Sequence, residues 1–451
     1  MTVDLPVPGL VGHGALEARL EHAPAWLQQR RELAWRRYTE LPLPSSSRDE
    51  DWRRTDISAL RIEDFVADPG ETTHGEALID AMRAMRDAAA PGAAFVASTR
   101  LGNRACEDTD QLTAQGIIVG SLDAAARNHP ELVQRGLDTI PPDSAFLALW
   151  NALWWGGTFV YVPPSVDARI PVFAAHTAAG DNAAIFPATI VVLDSNSSLT
   201  LIDAYASPAT DAPLLSNAVS ALVIGQGARL DYCTVQRWGA GAWHMATHRA
   251  TLAKDARLRF FGATLGARLQ KAYWEVIADG AGSEALLSGV CFGDGTQHLD
   301  HQSLQLHRAP RTHTDLLLKV AVRDRARSVY SGLIEVEREA QQTDAYVQNR
   351  NLILSDGAIA DSVPRLEIRA NDVRCGHGAT AGHIDSAQRF YLMSRGVPAE
   401  VADRIIVSGF MQDALDRCPH DGVRAFAAQL LDEEIAGRSQ AGITAPEVDA
   451  A

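Results

Sequence analysis

Cysteine is scarce in this chain and lysine scarcer. Five cysteines stand among 451 residues, and the closest two, Cys375 and Cys418, are 43 positions apart (418 − 375). No C-x-x-C spacing exists, which excludes a thioredoxin-like redox motif and a zinc ribbon. So sparse and odd a set in a chain of this length points to a reducing compartment rather than a disulfide framework. The lysines number three, Lys254, Lys271 and Lys319, and none follows a glycine. A phosphate loop with its Gly-Lys pair is therefore absent. G-x-S-x-G, H-E-x-x-H and G-x-G-x-x-G are missing too. Their loss removes the nucleophile elbow, the zinc-protease helix and the dinucleotide fingerprint. A chain this large without any such signature reads as a scaffold or subunit rather than a self-sufficient enzyme.

Net positive charge is also lacking. The formal net charge is −15, which disfavours non-specific binding to nucleic acid or to anionic membrane. Residues Met1–Leu10 carry no basic n-region and no apolar h-region, so a secretory signal is not expected and a cytoplasmic location is. Ala145–Val162 (AFLALWNALWWGGTFVYV) runs 18 residues without a charge, close to the shortest bilayer span. Asn151 and the Gly156-Gly157 pair interrupt the run, and Pro163-Pro164 follow it. It is read as a buried helix stopped at the glycines, followed by a strand over Thr158–Val162, and no membrane span is expected.

What is present describes a soluble globular chain, 46% hydrophobic and 22% charged, long enough for a substantial core. Three regions differ in pattern. Helical spacing is visible over about Ala15–Tyr38 (Trp26, Arg30, Leu33, Ala34, Arg37), with further helices expected over Gly75–Ala90, Ser121–Gly136 and Asp143–Gly157. From Thr158 to Asp385, strand-like runs alternate with Gly, Asp and Asn turns. Small residues precede alternating strands at Ser198, Ala228, Ala256, Ala326 and Ala358, at spacings of 30 (228 − 198), 28 (256 − 228) and 32 (358 − 326). The 70 residues from Ala256 to Ala326 (326 − 256) leave room for a further turn or two, one of them at Gly282-Ser283. Short strands at this period without intervening helices predict a parallel β-solenoid, with a β-sandwich as the competing architecture. Helices return after Ser386, where Ala402, Ile405, Ile406, Phe410 and Ala414 form one apolar stripe and Val423, Phe426, Ala427, Leu430 and Leu431 another. Such stripes are either core or a docking surface.

Histidine carries the positive chemical signal. Of 14 histidines, six lie between positions 298 and 383: His298, His301, His307, His313, His377 and His383. Residues an even number apart share a strand face, so Cys375 and His377 present a thiol and an imidazole together. That pair suits iron, copper or zinc but cannot complete a coordination sphere alone. The other reading is structural: histidines bonding between coils, beside a cysteine packed as a small hydrophobe. His298 and His301, three apart, fall on opposite faces of a strand.

From Thr296 to Pro419 the chain resembles the SufB/SufD family of iron–sulfur cluster assembly proteins almost without interruption. The carrying segments are TQHLDHQSLQLH, TDLLLKVAVRDRARSVYSGLIEVE, QTDAYVQNRNLILSD, PRLEIRANDVRCGHGATAGHID and FYLMSRGVPAEVADRIIVSGF. Weaker resemblance runs back through WNALWWGGTFVYVPPSV to PAWLQQRRELAWRRY. The C-x-H-G-A-T-x-G pattern at Cys375–Gly382 and the EDWRRTD segment resemble the SufD branch of the family.

The resemblance implies a mainly β fold: a helical N-terminal domain (1–157), a right-handed parallel β-helix core (158–385) and a C-terminal helical domain (386–436); the mostly small or polar residues of 437–451 are expected to form a disordered tail. It implies pairing with a SufB-type subunit through the β-helix, and docking of a SufC-type ABC ATPase by C-terminal helices carrying Phe390, Ile406, Phe410, Phe426 and Leu430. Cys375 and His377 match the family's functional cysteine and histidine at the shared interface, where iron or an Fe–S cluster is held transiently. His298, His301, His313 and His383 are secondary ligand candidates. A SufB-like homodimeric scaffold, and a metal-dependent β-helix enzyme using His298, His301 and His313, are the alternatives. Pairing of the isolated chain with a second copy is compatible with either scaffold reading. No motif indicates a flavin. The residues leave open whether the subunit supplies iron, stabilises its partner or binds that cofactor.

Overall fold

The computed structural model describes residues 11–67, 75–99, 102–437 and 442–443. Helices α1 (His13–Glu21) and α2 (Ala25–Glu40), parted at Pro24, are followed by α3 (Gly75–Ala89). Strands β1 (Ala94–Thr99) and β2 (Gly102–Glu107), helix α4 (Asp110–Thr113) and strand β3 (Ile118–Ser121) lead to α5 (Leu122–Asn128), α6 (Pro130–Leu137) and α7 (Ala145–Leu153). The uncharged run is thus a short helix, buried at every residue, and then a strand. Gly156 (φ 70°) and Gly157 (φ 103°) make the left-handed turn between them. No helix among the described residues is long and apolar enough to cross a membrane.

Strands then follow one another without an intervening helix. They are β4 (Thr158–Val162), β5 (Val172–Thr177), β6 (Ala183–Ile185), β7 (Ala188–Leu193), β8 (Ser198–Ala206) and β9 (Leu214–Ile224). Next come β10 (Arg229–Arg237), β11 (Ala242–Leu252), β12 (Arg257–Thr264), β13 (Leu269–Ala278), β14 (Glu284–Gly293) and β15 (His298–His307). The last are β16 (His313–Val322), β17 (Arg327–Val336), β18 (Thr343–Ile353), β19 (Ile359–Ile368) and β20 (Val373–His383). Helices α8 (Ser386–Ser394), α9 (Ala399–Leu415) and α10 (Asp421–Ile435) end the series.

The strands alternate between two sheets, ordered β2-β1-β5-β8-β10-β12-β14-β16-β18-β20 and β19-β17-β15-β13-β11-β9-β7-β4-β3, with β6 beside β9. Pairing is parallel except at β1–β2 and β3–β4. The chain coils through about eight turns as a parallel β-solenoid with helices at both termini, as the sequence period predicts. The region before Thr158 also holds strands: β1, β2 and β3 extend both sheets at the solenoid's first end.

One backbone device sets the coil. Asn196, Gly227, Asp255, Gly282, Arg311 and Gln342 all have φ between 56° and 75° and stand just ahead of successive strands of the first sheet. Each donates its N–H to a carbonyl in the next turn, as in Gly227 to Lys254 (2.9 Å) and Asp255 to Ala281 (3.0 Å). The small residue after each αL position is buried, with Ala228 and Ala256 at 0% exposure.

Apolar surface is buried on both faces of the sheets. Inside, Trp274 crosses the lumen and lies on paired Gly262 and Gly289, where an added Cβ would sit 2.5 Å from its ring. Outside, α1, α2 and α5–α7 cover one sheet around Trp150, Leu215 and Trp243. Over the other sheet, α3, α9 and α10 pack on Cys233, Phe261 and Leu317. Lys319 pins α9 there, donating to the Phe410 carbonyl (2.6 Å) and pairing with Asp413 (2.5 Å). The expected tail, 437–451, lies outside the described residues apart from 437 and 442–443, where Ile443 is buried and bridges to Pro208.

Candidate functional site

Strand β20 is the last of its sheet and β19 the last of the other, so the solenoid's final turn presents strand edges with no further described strand beyond them. Cys375 pairs in register with Ala345 and His377 with Val347. Ala345 and Val347 point into the lumen and are 1% exposed. Cys375 and His377 therefore share the inward face of the final strand, at the solenoid's open end. Cys375 packs partly against the core, while His377 is exposed.

The local sequence C-G-H-G explains the arrangement. Gly376 and Gly378 alternate with Cys375 and His377 and face outward, where the Tyr346 ring lies over them. A Cβ would sit 3.2 Å from that ring at Gly376 and 3.1 Å from the hydroxyl at Gly378. Tyr346 was not singled out from sequence; the two glycines opposite it were the available signal. Burial pushes the Cys375 thiol upward, the Ala345 amide offsets part of this, and nearby Asp344 adds to it. A metal binding there displaces a thiol proton.

The secondary histidines are not brought to this point. His298 faces outward beneath the N-terminal segment, its Nε2 2.9 Å from Thr55 Oγ1. Beside it Lys271 and Asp300 form a fully buried ion pair at 2.6 Å. His301 faces the lumen, bonded to Thr264 Oγ1 and Gln270 Nε2, each at 3.1 Å, with its ring edge-on to Trp274. Burial lowers both imidazoles to about 4. His313 lies on the other sheet, with Nδ1 3.1 Å from the Asp344 carbonyl. His383 ends β20 and borders an apolar groove of about 810 Å³ lined by Leu352, Tyr391, Ile405, Ile406 and Phe410. Among the described residues, no three His, Cys, Asp or Glu side chains converge on a metal position.

The C-terminal candidates divide by exposure. Phe390 is 73% exposed, with Tyr391 and Ile405 also open to solvent. Ile406 and Phe410 line the groove. Phe426 is half-buried and Leu430 only 3% exposed, both packed toward α3 and the solenoid.

These features define a class: a helix-flanked parallel β-solenoid without a phosphate loop, carrying a cysteine and a histidine on the inward face of its last strand. Residues 176–410 match the family profile described as "SUF system FeS cluster assembly, SufBD core domain", and residues 15–172 match "SufBD protein N-terminal region". The chain belongs to the SufBD family of SUF iron–sulfur cluster assembly proteins. It is 26% identical to the iron–sulfur cluster assembly protein SufD of Bacillus subtilis over 420 residues, covering 91% of this chain and 94% of that one. It is 27% identical to SufB of Bacillus subtilis over 312 residues (69% and 67% of the two chains). Against an iron–sulfur cluster assembly SufBD family protein of Staphylococcus saprophyticus, identity is 27% over 311 residues (68% and 67%).

Proposed function

We propose that this chain is a SufD-type scaffold subunit whose open solenoid end pairs with a SufB-type subunit and shares a transient iron or Fe–S site with it. The observation that carries this reading is the placement of Cys375 and His377 together on the inward face of an edge strand. An edge strand offers unpaired backbone groups to a second sheet. A thiol and an imidazole supply half of a four-ligand site for soft or borderline metal, and the partner supplies the rest. Near end-to-end alignment with a SufD, against two-thirds coverage by a SufB, supports the SufD-type assignment. The exposed apolar face of α8 and α9, with Phe390, Tyr391, Ile405 and the groove at Ile406 and Phe410, is the docking surface for a SufC-type ATPase. That partner hydrolyses ATP, and this subunit acts in the cytoplasm without catalysis of its own.

The test is co-expression with SufB-type and SufC-type subunits, followed by anaerobic reconstitution with ferrous iron and sulfide. Cys375→Ala and His377→Ala are expected to leave the complex assembled but lower its cluster yield. Cellular Fe–S enzyme activity should fall with it. Undiminished cluster yield and activity in the double variant would overturn the reading.

A further inference from the structure

Two of the three lysines are buried where a flanking segment covers the solenoid. On one sheet, Lys271 of β13 donates to the Asp51 carbonyl (2.6 Å) and lies 4.7 Å from the Trp52 ring. On the other, Lys319 of β16 donates to the Phe410 carbonyl (2.6 Å), pairs with Asp413 (2.5 Å) and lies 4.5 Å from the Phe410 ring. Phe410 and Asp413 stand three apart on α9 and so share a helix face. The other α9 side chains packed toward the solenoid are apolar, with Val407, Met411, Ala414 and Leu415 at most 3% exposed. Such contact is non-directional: it holds the helix down without fixing its rotation or axial register. Lys319 fixes both, because a carbonyl, a carboxylate and a ring of one helix must all meet one nitrogen. The Arg417–Asp315 pair beyond the end of α9 (2.9 Å, side chains 43% and 29% exposed) adds little, since water screens it. The ring that the ammonium touches also lines the apolar groove, with Tyr391, Ile405 and Ile406.

We propose that Lys319 is a positioning residue for the groove: by fixing the rotation of α9 it sets Phe410 and Ile406 in the geometry that a SufC-type ATPase recognises. The inference rests on the docking reading given above and deepens it. An aromatic anchor in an interface works only when it enters its partner's pocket in register, and a small rotation of α9 would carry Phe410 out of that register. Burying an ammonium is costly unless its donors are met. A methionine in its place would fill the same space and bury α9 as well, so what the charge adds is orientation rather than cohesion. Asp413 is 54% exposed, so removing the lysine leaves its carboxylate in water and strands no buried charge. Stability and docking should therefore separate, which a purely structural lysine would not allow.

The experiment titrates the full-length chain with a purified SufC-type ATPase in a calorimeter and records melting temperatures in parallel. Lys319→Met is expected to weaken binding about tenfold while the melting temperature stays near that of the unsubstituted chain. Phe410→Ala should weaken binding by a similar factor. Adding Lys319→Met to it should weaken binding no further, since the lysine acts through that ring. Should Lys319→Met not fold, Asp413→Asn loosens the same tie from an exposed position and should weaken binding by a smaller factor. A lowered melting temperature with undiminished binding would overturn the proposal, and so would additive losses in the double variant. In both cases the unsubstituted chain still binds, so the docking reading stands. If the unsubstituted chain does not bind the ATPase at all, the docking reading fails and the proposal falls with it.

Discussion

Histidines line the lumen, and their protons decide how the molecule responds to acid. His244, His248, His301 and His307 all point inward and are buried. Burial, the largest cause in each case, lowers His244 to about 3 and the other three to about 4. An unfolded imidazole takes its proton near pH ~6.5, so between that value and the folded one the unfolded chain binds more protons. Stability is therefore full above ~6.5 and declines as pH falls, by up to about 1.4 kcal/mol per pH unit for each such histidine. Asp203 is lowered too, but by partners rather than by burial. Burial alone would raise it, but His176 and the hydroxyl of Tyr232 hold it at about 2. Its contribution persists until pH falls below the unfolded carboxyl value of ~3.9. Urea titrations at neutral and mildly acidic pH should show a steep loss of stability, and His301→Gln should reduce the slope by about one proton. An unchanged slope in that variant would show that His301 titrates normally. The histidine cluster was visible in the sequence, and so was the opposite facing of His298 and His301. Which face is the lumen was not, because that depends on which sheet each strand joins.

The repeat is an element-scale property, and the sequence carried it with one slip of phase. Ala228, Ala256 and Ser283 open strands β10, β12 and β14 of one sheet, whereas Ala326 and Ala358 open β17 and β19 of the other. The 70-residue interval between Ala256 and Ala326 (326 − 256) is therefore no whole number of turns, because it crosses from one sheet to its opposite. Both kinds of turn put a small buried residue before a strand, so composition alone does not distinguish them. Strands β1 to β3 escaped notice for a related reason. They are short, lie among helices, and belong to sheets whose other members come later in the chain. Their pairing is tertiary rather than local. The packing of Trp274 on Gly262 and Gly289 makes a sharper prediction. Gly289→Ala places a methyl against the indole in a filled lumen, where overpacking costs roughly 1–3 kcal/mol. Chemical denaturation should register that loss, and Gly262→Ala should fail to add to it, since both displace one ring. Additive losses would mean that the ring accommodates each methyl independently.

At the scale of the whole molecule, the two ends of the coil are treated differently. The first end is extended by β1–β3 and flanked by helices, and its outer edges are the antiparallel strands β2 and β3. The last end finishes on β19 and β20, with Ile359, Leu366, Ile368 and most of β20 exposed. Long edge strands in a folded protein are normally blunted by charge, proline or cover. Pro364 does this in the middle of β19, whereas β20 carries glycines and alanines along the stretch from Gly376 to Gly382. Small residues let another backbone approach closely, so β20 lacks the guards that β19 has. A charge placed inward on this edge should act as the missing guard. Ala379→Lys, two residues beyond His377 on the same face, is expected to abolish pairing of this end with a SufB-type subunit in sedimentation experiments. Because Ala379 is exposed, the melting temperature of the isolated chain should hardly move. If the variant still pairs at wild-type affinity, the assembly surface lies elsewhere and the Cys375–His377 face opens to solvent alone. If pairing is lost while folding is intact, the unguarded strand that carries Cys375 and His377 is the assembly surface.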